Sequence, residues 1–336
     1  MSNAIPILEL QDLVKTFGWE PAPGPLLSAL RKVKLSSPPA LTYAVDHVNL
    51  KVMPGEVVGL VGESGCGKST VGRLACGLME PTSGKVLVKG RDRMELKGEE
   101  AVQAQLCIQM VFQDPFSSLN PRLRVDKSLS EAALYHGLTT PAEVDDYVCN
   151  LLDSVGLDPV MRHRYPHQFS GGQRQRVGIA RALAVKPEML VCDEAVAALD
   201  VSIQAQILNL FMDLRDQLGL SYLFISHDLG VVEHLSDRVV VMYLGRVVES
   251  APVEDLFSRP THPYTKALLA HVPRTTQRKV SFASIKGEIP SPMAPPTGCH
   301  FHPRCPHATK RCSEEVPVLR EVGAGHLSAC HLNDSL

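Results

Sequence analysis

Three short stretches of the chain are apolar at nearly every position, and each ends in glycine or polar text. Val57 to Val61, the stretch MLVCDE over 189–194 and Tyr222 to Ile225 have this form. Runs so short and without alternation fit strands covered on both faces, as in a parallel sheet. Helical spacing follows the first run, with Val71, Leu74, Ala75 and Leu78 on one face. It returns in FSGGQRQRVGIARALA (169–184), where Ser170 suits an N-cap and Val177, Ile179, Ala180, Leu183 and Ala184 form an apolar face. SLSEAALYHGL and AEVDDYVCNLLDSVGL predict further helices within 119–168, and 238–250 reads as a hairpin. Buried strands interleaved with helices make this an α/β chain. Residues 18–42 are Pro-rich and predict a solvated surface loop, whose centre, LLSALRKVK, is a basic amphipathic segment able to touch a partner or lipid headgroups.

Composition narrows the classes. A chain of 336 residues buries one large core and has room for a smaller second unit. A formal net charge of −2 carries no global footprint for nucleic acid. No apolar run reaches the roughly eighteen residues of a membrane-spanning helix. The N-terminal MSNAIPILELQDLVKTF lacks a basic segment followed by an apolar one, so a cytosolic location with reduced thiols is expected.

The chemistry begins where the first strand ends. EVVGLVGESGCGKST (56–70) contains Gly62-x-x-x-x-Gly67-Lys68-Ser69, the spacing of a phosphate-binding loop. Glycines let backbone N–H groups turn toward the β- and γ-phosphates, and the following helix adds its positive end. Lys68 supplies a charge to the same oxygens, and the Ser69 hydroxyl is a Mg²⁺ ligand. Asp193 and Glu194 close the second strand. The first is placed for the Mg²⁺ shell, and the second for polarising a water aimed at the γ-phosphate. Ser170, Gly171 and Gly172 open a second helix start fit for an anion. Two such sites reach one phosphate most readily when two chains meet head to tail.

Taken together these residues resemble an ATP-binding cassette (ABC) ATPase, over roughly residues 5 to 250. The resemblance implies a P-loop NTPase fold: a RecA-like core, an antiparallel β subdomain and an α-helical subdomain over 119–168. Gly62, Glu63, Ser64, Gly65, Cys66, Gly67, Lys68, Ser69 and Thr70 resemble the Walker A loop. Gln113 resembles the Q-loop glutamine, touching Mg²⁺ and the attacking water. Ser170, Gly171, Gly172 and Gln173 resemble the signature motif, which reads ATP bound to the opposite subunit. Asp193 and Glu194 resemble the Walker B aspartate and the catalytic glutamate, Asp200 belongs to the D-loop, and His227 resembles the switch histidine. Phe17, with Tyr43 as the alternative, resembles the ring that stacks on adenine; either ring is equally compatible with a core position. Phe169, Ala195 and Ala197 depart from the commonest family residues without removing a catalytic atom.

SRPTHPYTKALLAHVP (258–273), FQDPFSSLNPR (112–122) and LDVSIQAQILNL (199–210) resemble the branch that imports peptides, opines, nickel chelates and some glycosides. That branch implies two transmembrane permease subunits, a second and usually different ATPase subunit, an extracytoplasmic substrate-binding protein, and a peripheral place on the cytoplasmic face of a bacterial or archaeal membrane. A soluble non-transport ATPase, acting as regulator or assembly scaffold, is the alternative. The expected division is a nucleotide-binding domain over 1–250 and a C-terminal region over 251–336. That region carries Cys299, Cys305, Cys312 and Cys330, spaced C-x5-C-x6-C-x17-C. Zinc knuckles are tighter than this, whereas four thiolates at varied spacing can hold an iron–sulfur cluster. Some members of the branch carry a [4Fe–4S] cluster there; zinc, aided by His300, His302, His307, His326 or His331, and free or disulfide-linked thiols are the alternatives. Cys66, Cys76, Cys107, Cys149 and Cys192 read as small buried residues.

Overall fold

The computed structural model describes residues 4–18, 41–114, 118–270 and 287–334. Most of the Pro-rich segment expected to form a surface loop, residues 19–40, therefore lies outside the described residues. Twelve strands are described: β1 (Leu8–Phe17), β2 (Thr42–Val52), β3 (Val57–Val61), β4 (Ser83–Val88), β5 (Arg91–Asp92) and β6 (Ile108–Val111), followed by β7 (Met189–Asp193), β8 (Ser221–Ile225), β9 (Arg238–Tyr243), β10 (Arg246–Pro252), β11 (Arg320–Gly323) and β12 (His326–Ser328). The helices that matter for the site are α1 (Lys68–Ala75), α2 (Gly98–Cys107), α3 (Val125–Tyr135), α4 (Val144–Ser154), α5 (Gly171–Leu183), α6 (Val201–Leu218), α7 (Leu229–Leu235), α8 (Val253–Ser258) and α9 (Pro263–Leu269).

The large sheet has the order β11-β12-β10-β9-β3-β8-β7-β6, parallel from β9 through β6 and antiparallel beyond β9. β3, β7 and β8 are buried at every position, as their unbroken apolar text requires. Their side chains alternate between two cores. Val57, Leu190, Cys192, Tyr222 and Phe224 face the core built with α3, α4, α5 and α6. Val58, Leu60, Val191, Leu223 and Ile225 face the other, built with α1 and the antiparallel sheet β2-β1-β4-β5. The helical stretches expected within 119–168 are α3 and α4.

A third core lies along β9. Val239, Val241 and Tyr243 pack there with Phe257, Tyr264 and Leu269 from α8 and α9, and with Phe301 from near the C-terminus. β12 pairs with β10, Glu249 opposite Ser328. The expected division at residue 250 thus falls inside β10, and the C-terminal region adds two strands to the main sheet.

Candidate functional site

All parallel strands deliver their carboxyl ends to one edge of the sheet, where ligands of open α/β sheets bind. From β3 the chain enters the loop Gly62–Gly67. Gly62 has φ 153° and Gly67 φ 107°, in the region that favours glycine. A Cβ would also lie 2.2 Å from the Met242 carbonyl oxygen at Gly62, and 2.0 Å from that of Ala44 at Gly67. The loop is therefore pressed against β2 and the end of β9, with its turns specified by glycine. Gly67 then caps α1 in a left-handed conformation.

Lys68 is buried and folds back over the loop, donating from Nζ to the Gly62 carbonyl at 2.8 Å and to that of Glu63 at 3.1 Å. The Cys66 thiol, 3.8 Å from the same ammonium, is buried, and burial pushes its pKa up. Next along α1, the Ser69 hydroxyl donates to Asp193 Oδ1 at 2.8 Å. Burial pushes the Asp193 carboxyl pKa up; the Ser69 bond opposes this, and the neighbouring Glu194 charge adds to it. Hydroxyl and carboxylate oxygens in a site where negative charge is costly fit Mg²⁺, a hard cation that takes oxygen ligands.

Glu194 is the centre of a second group. Gln113, just past β6, donates from Nε2 to Glu194 Oε2 at 2.6 Å. His227, two residues past β8, places Nδ1 3.3 Å from Glu194 Oε1. One carboxylate thus has an amide on one oxygen and an imidazole on the other, from three strand ends. The Glu194 backbone sits at φ 48°, an unusual conformation for a residue with a side chain, and its N–H donates to the Ile225 carbonyl. Backbone strain of this kind costs about 1–3 kcal/mol and concentrates at functional sites.

The helix start at 170–173 has partners of its own. Ser170 Oγ accepts from the Gln173 N–H at 3.3 Å, while Gln173 Oε1 accepts from the Ser170 N–H at 3.0 Å, a reciprocal capping box. The N-cap was legible in the sequence; the part of Gln173 in closing the box emerges here. Gly172 lies so close to α6 that a Cβ would stand 2.5 Å from Ile203 Cγ2. Ser170, Gly171 and Asp200 are exposed, and the hydrogen bonds of Ser170 and Gln173 described above stay within the turn. Phe17 and Tyr43 sit near the ends of the paired strands β1 and β2 and are 41% and 37% exposed, which removes a core role for either. Lys15 Nζ lies 5.6 Å from the Phe17 ring centroid.

Two contacts to the loop have no signal in the sequence. The Glu63 N–H donates to Tyr264 Oη at 2.9 Å. Both oxygens of the Glu63 carboxylate accept from Arg304, at 2.7 and 3.0 Å. Arg304 lies 241 positions away, in text that reads only as part of the cysteine tail.

Burial, and then the charges of Cys312, Cys330 and Cys305, push the Cys299 thiol up to about 11, against a backbone hydrogen bond at Phe301. The Cys299 N–H donates to the Cys312 carbonyl at 2.8 Å. Among the described residues no group of three or more His, Cys, Asp or Glu side chains is placed to hold a metal ion, so the expected iron–sulfur or zinc centre rests on the cysteine spacing. Cys299 and Cys305 pack against the aromatic core beside Phe301. Of the five cysteines expected to be buried, Cys66, Cys76, Cys107 and Cys192 are, and Cys149 is half-buried.

Comparison with known proteins identifies the family. Residues 45–197 match the model described as ABC transporter, and residues 248–312 the one described as oligopeptide/dipeptide transporter, C-terminal region. The chain is 48% identical to the oligopeptide transport ATP-binding protein AppF of Bacillus subtilis over 98% of each chain. It is 46% identical to the dipeptide transport ATP-binding protein DppF of Haemophilus influenzae, over 91% of this chain and 96% of that one. Among solved structures, cbiO1 of Clostridium perfringens, part of the ABC transporter complex cbiONQ, superposes with a TM-score of 0.61 at 27% identity, covering 76% of this chain and 91% of that chain. The dimeric ATP-binding cassette MJ0796, bound to ADP and Pi after hydrolysis, superposes with a TM-score of 0.60 at 27% identity, covering 73% and 98%. With both family regions matched and a relative aligned along nearly its whole length, the chain belongs to the ATP-binding subunits of ABC transporters of the oligopeptide/dipeptide type.

Proposed function

We propose that the chain is the ATP-hydrolysing subunit that energises import of peptides or chemically related small solutes, such as opines or nickel chelates. The observation that carries the reading is the convergence of Gln113 and His227 on the two oxygens of Glu194, one residue from the Ser69–Asp193 pair. In this reading the backbone of Gly62–Thr70 and the Lys68 ammonium receive the β- and γ-phosphates. Phe17 or Tyr43, both exposed near the ends of paired strands, is the ring available to the base. Ser69, Asp193 and Gln113 are the oxygen donors for Mg²⁺, which neutralises charge on the phosphates. Glu194 takes a proton from water as general base, with Gln113 and His227 holding its carboxylate in place.

The exposed turn Ser170–Gln173 and Asp200 are offered to nucleotide on a second ATPase subunit, the same or different, in a head-to-tail pair. That pairing is supported by the exposure of Ser170, Gly171 and Asp200 and by the dimeric state of the MJ0796 cassette. ATP binds the closed pair more tightly than the open one, and hydrolysis releases it. No helix among the described residues is long and apolar enough to cross a membrane. Solute passage therefore falls to two permease subunits, with this chain peripheral on their cytoplasmic side and an extracytoplasmic binding protein delivering the solute. For the tail, a [4Fe–4S] cluster or a zinc ion is supported by the four-cysteine spacing alone. Iron, sulfide and zinc analysis of anaerobically purified protein tests that part.

The function test is Glu194→Gln. ATP turnover falls by about 10²–10⁴-fold while Mg·ATP binding persists. Unimpaired hydrolysis in this variant removes Glu194 as the base.

A further inference from the structure

Glu63 is an acidic residue in a loop built to receive a polyanion, and its charge is met from outside the cassette. Arg304 grips its carboxylate with both terminal nitrogens, at 2.7 and 3.0 Å. Such a fork combines charge with fixed geometry. The Arg304 side chain is only 5% exposed, so solvent screens the pair weakly. Arg304 also donates to Tyr243 Oη at 3.3 Å and lies 5.9 Å from the centre of that ring. Beneath the loop, Tyr264 Oη accepts from the Glu63 N–H. The segment carrying Arg304 is pinned by Phe301, which is 1% exposed and has its ring centroid 5.3 Å from Tyr243 and 5.4 Å from Tyr264.

We propose that Arg304 is a positioning residue for the phosphate-binding loop: it neutralises Glu63 and fixes the loop, so that the C-terminal region sets the affinity of the cassette for ATP. The inference rests on the nucleotide-site reading of Gly62–Thr70. Without Arg304, a part-buried carboxylate stays in the phosphate loop without its bidentate counter-charge, and repulsion between like charges opposes binding. Gln113, Glu194 and His227 keep their mutual contacts, so the chemical step is spared. The cysteine tail thereby acquires a part in nucleotide binding through Arg304, the residue immediately before Cys305.

The test uses the full chain and follows Mg·ATP binding together with KM and kcat. Arg304→Ala is expected to raise the dissociation constant and KM about tenfold with little change in kcat at saturating ATP. Adding Glu63→Gln to that variant is expected to recover most of the affinity, because the unpaired charge is gone; damage to packing alone would not be repaired this way. Arg304→Lys, which keeps the charge and loses the fork, falls between. An unchanged KM in Arg304→Ala, or a double variant no tighter than the single one, overturns the proposal. Should Arg304→Ala not fold, Tyr264→Phe replaces it: loss of the acceptor for Glu63 N–H is expected to raise KM about threefold, and no change overturns the proposal. Lys68→Ala separates the two levels. If it abolishes binding while Arg304→Ala binds normally, only this inference falls. If the unmodified chain binds no Mg·ATP, the nucleotide reading falls with it.

Discussion

His262 makes stability pH-dependent in a direction that can be worked out from its surroundings. It caps α9, and its Nδ1 accepts from the Tyr264 N–H at 3.1 Å. That bond requires an unprotonated Nδ1, so the folded ring is neutral. The side chain is almost fully buried, and burial pushes its pKa from 6.5 down to about 4, with the Glu249 carboxylate and a backbone hydrogen bond at Ala329 pulling the other way and the Lys266 charge adding to the fall. As pH falls below about 6.5 the unfolded chain takes up a proton that the folded chain refuses until about pH 4. The stabilisation is thus present above the unfolded value and is lost across that window. Between about pH 7.5 and about pH 5 this one group lowers stability by about 2 kcal/mol.

His262→Asn isolates the effect, because asparagine keeps a side-chain acceptor for the Tyr264 N–H and does not titrate. Glu249 on β10 and His326 on β12, joined at 2.7 Å, remain in both proteins. Denaturant unfolding at the two pH values, with amide exchange over 263–269 as a local readout, measures the difference. The original chain should lose about 2 kcal/mol more than the variant on acidification. Equal losses would refute the neutral, buried imidazole as the origin of the acid sensitivity.

Two further substitutions probe the site. Gly67→Ala puts a Cβ 2.0 Å from the Ala44 carbonyl oxygen at a φ of 107°, so Mg·ATP binding should be lost and thermal stability should fall by about 1–3 kcal/mol; calorimetry and equilibrium binding check both. Ser170→Ala removes one half of the capping box and should cost about 1 kcal/mol in unfolding measurements. Its steady-state ATPase should fall much further than stability does, since the same hydroxyl faces the partner's nucleotide in the proposed pair. A loss of rate no larger than the loss of folded protein would confine Ser170 to capping.

Where the determinants lie within a few residues of one another, the sequence sufficed. Unbroken apolar text marked β3, β7 and β8 because those strands are covered on both faces. The glycine spacing around Lys68 marked the phosphate loop because only glycine tolerates those dihedrals so close to neighbouring backbone. The acidic pair at the end of β7 and the N-cap Ser170 were legible for the same local reason. The rings of Phe17 and Tyr43 left core and surface equally open, and it took their position near the ends of the paired strands β1 and β2 to place both at the surface.

Tertiary structure decided everything that depends on distant segments meeting. Strand order brought Gln113, Glu194 and His227 to a single carboxylate, although 81 positions separate the first two. It also made the C-terminal region part of the main sheet, through β12 on β10, where the sequence suggested a division at residue 250. That docking also packs Cys299 and Cys305 against the aromatic core around Phe301. Spacing along the chain specifies turns, caps and buried strands, because those involve neighbours. The grip of Arg304 on Glu63 arises only when aromatic residues from β9, α9 and the tail bury themselves together, which no local pattern encodes.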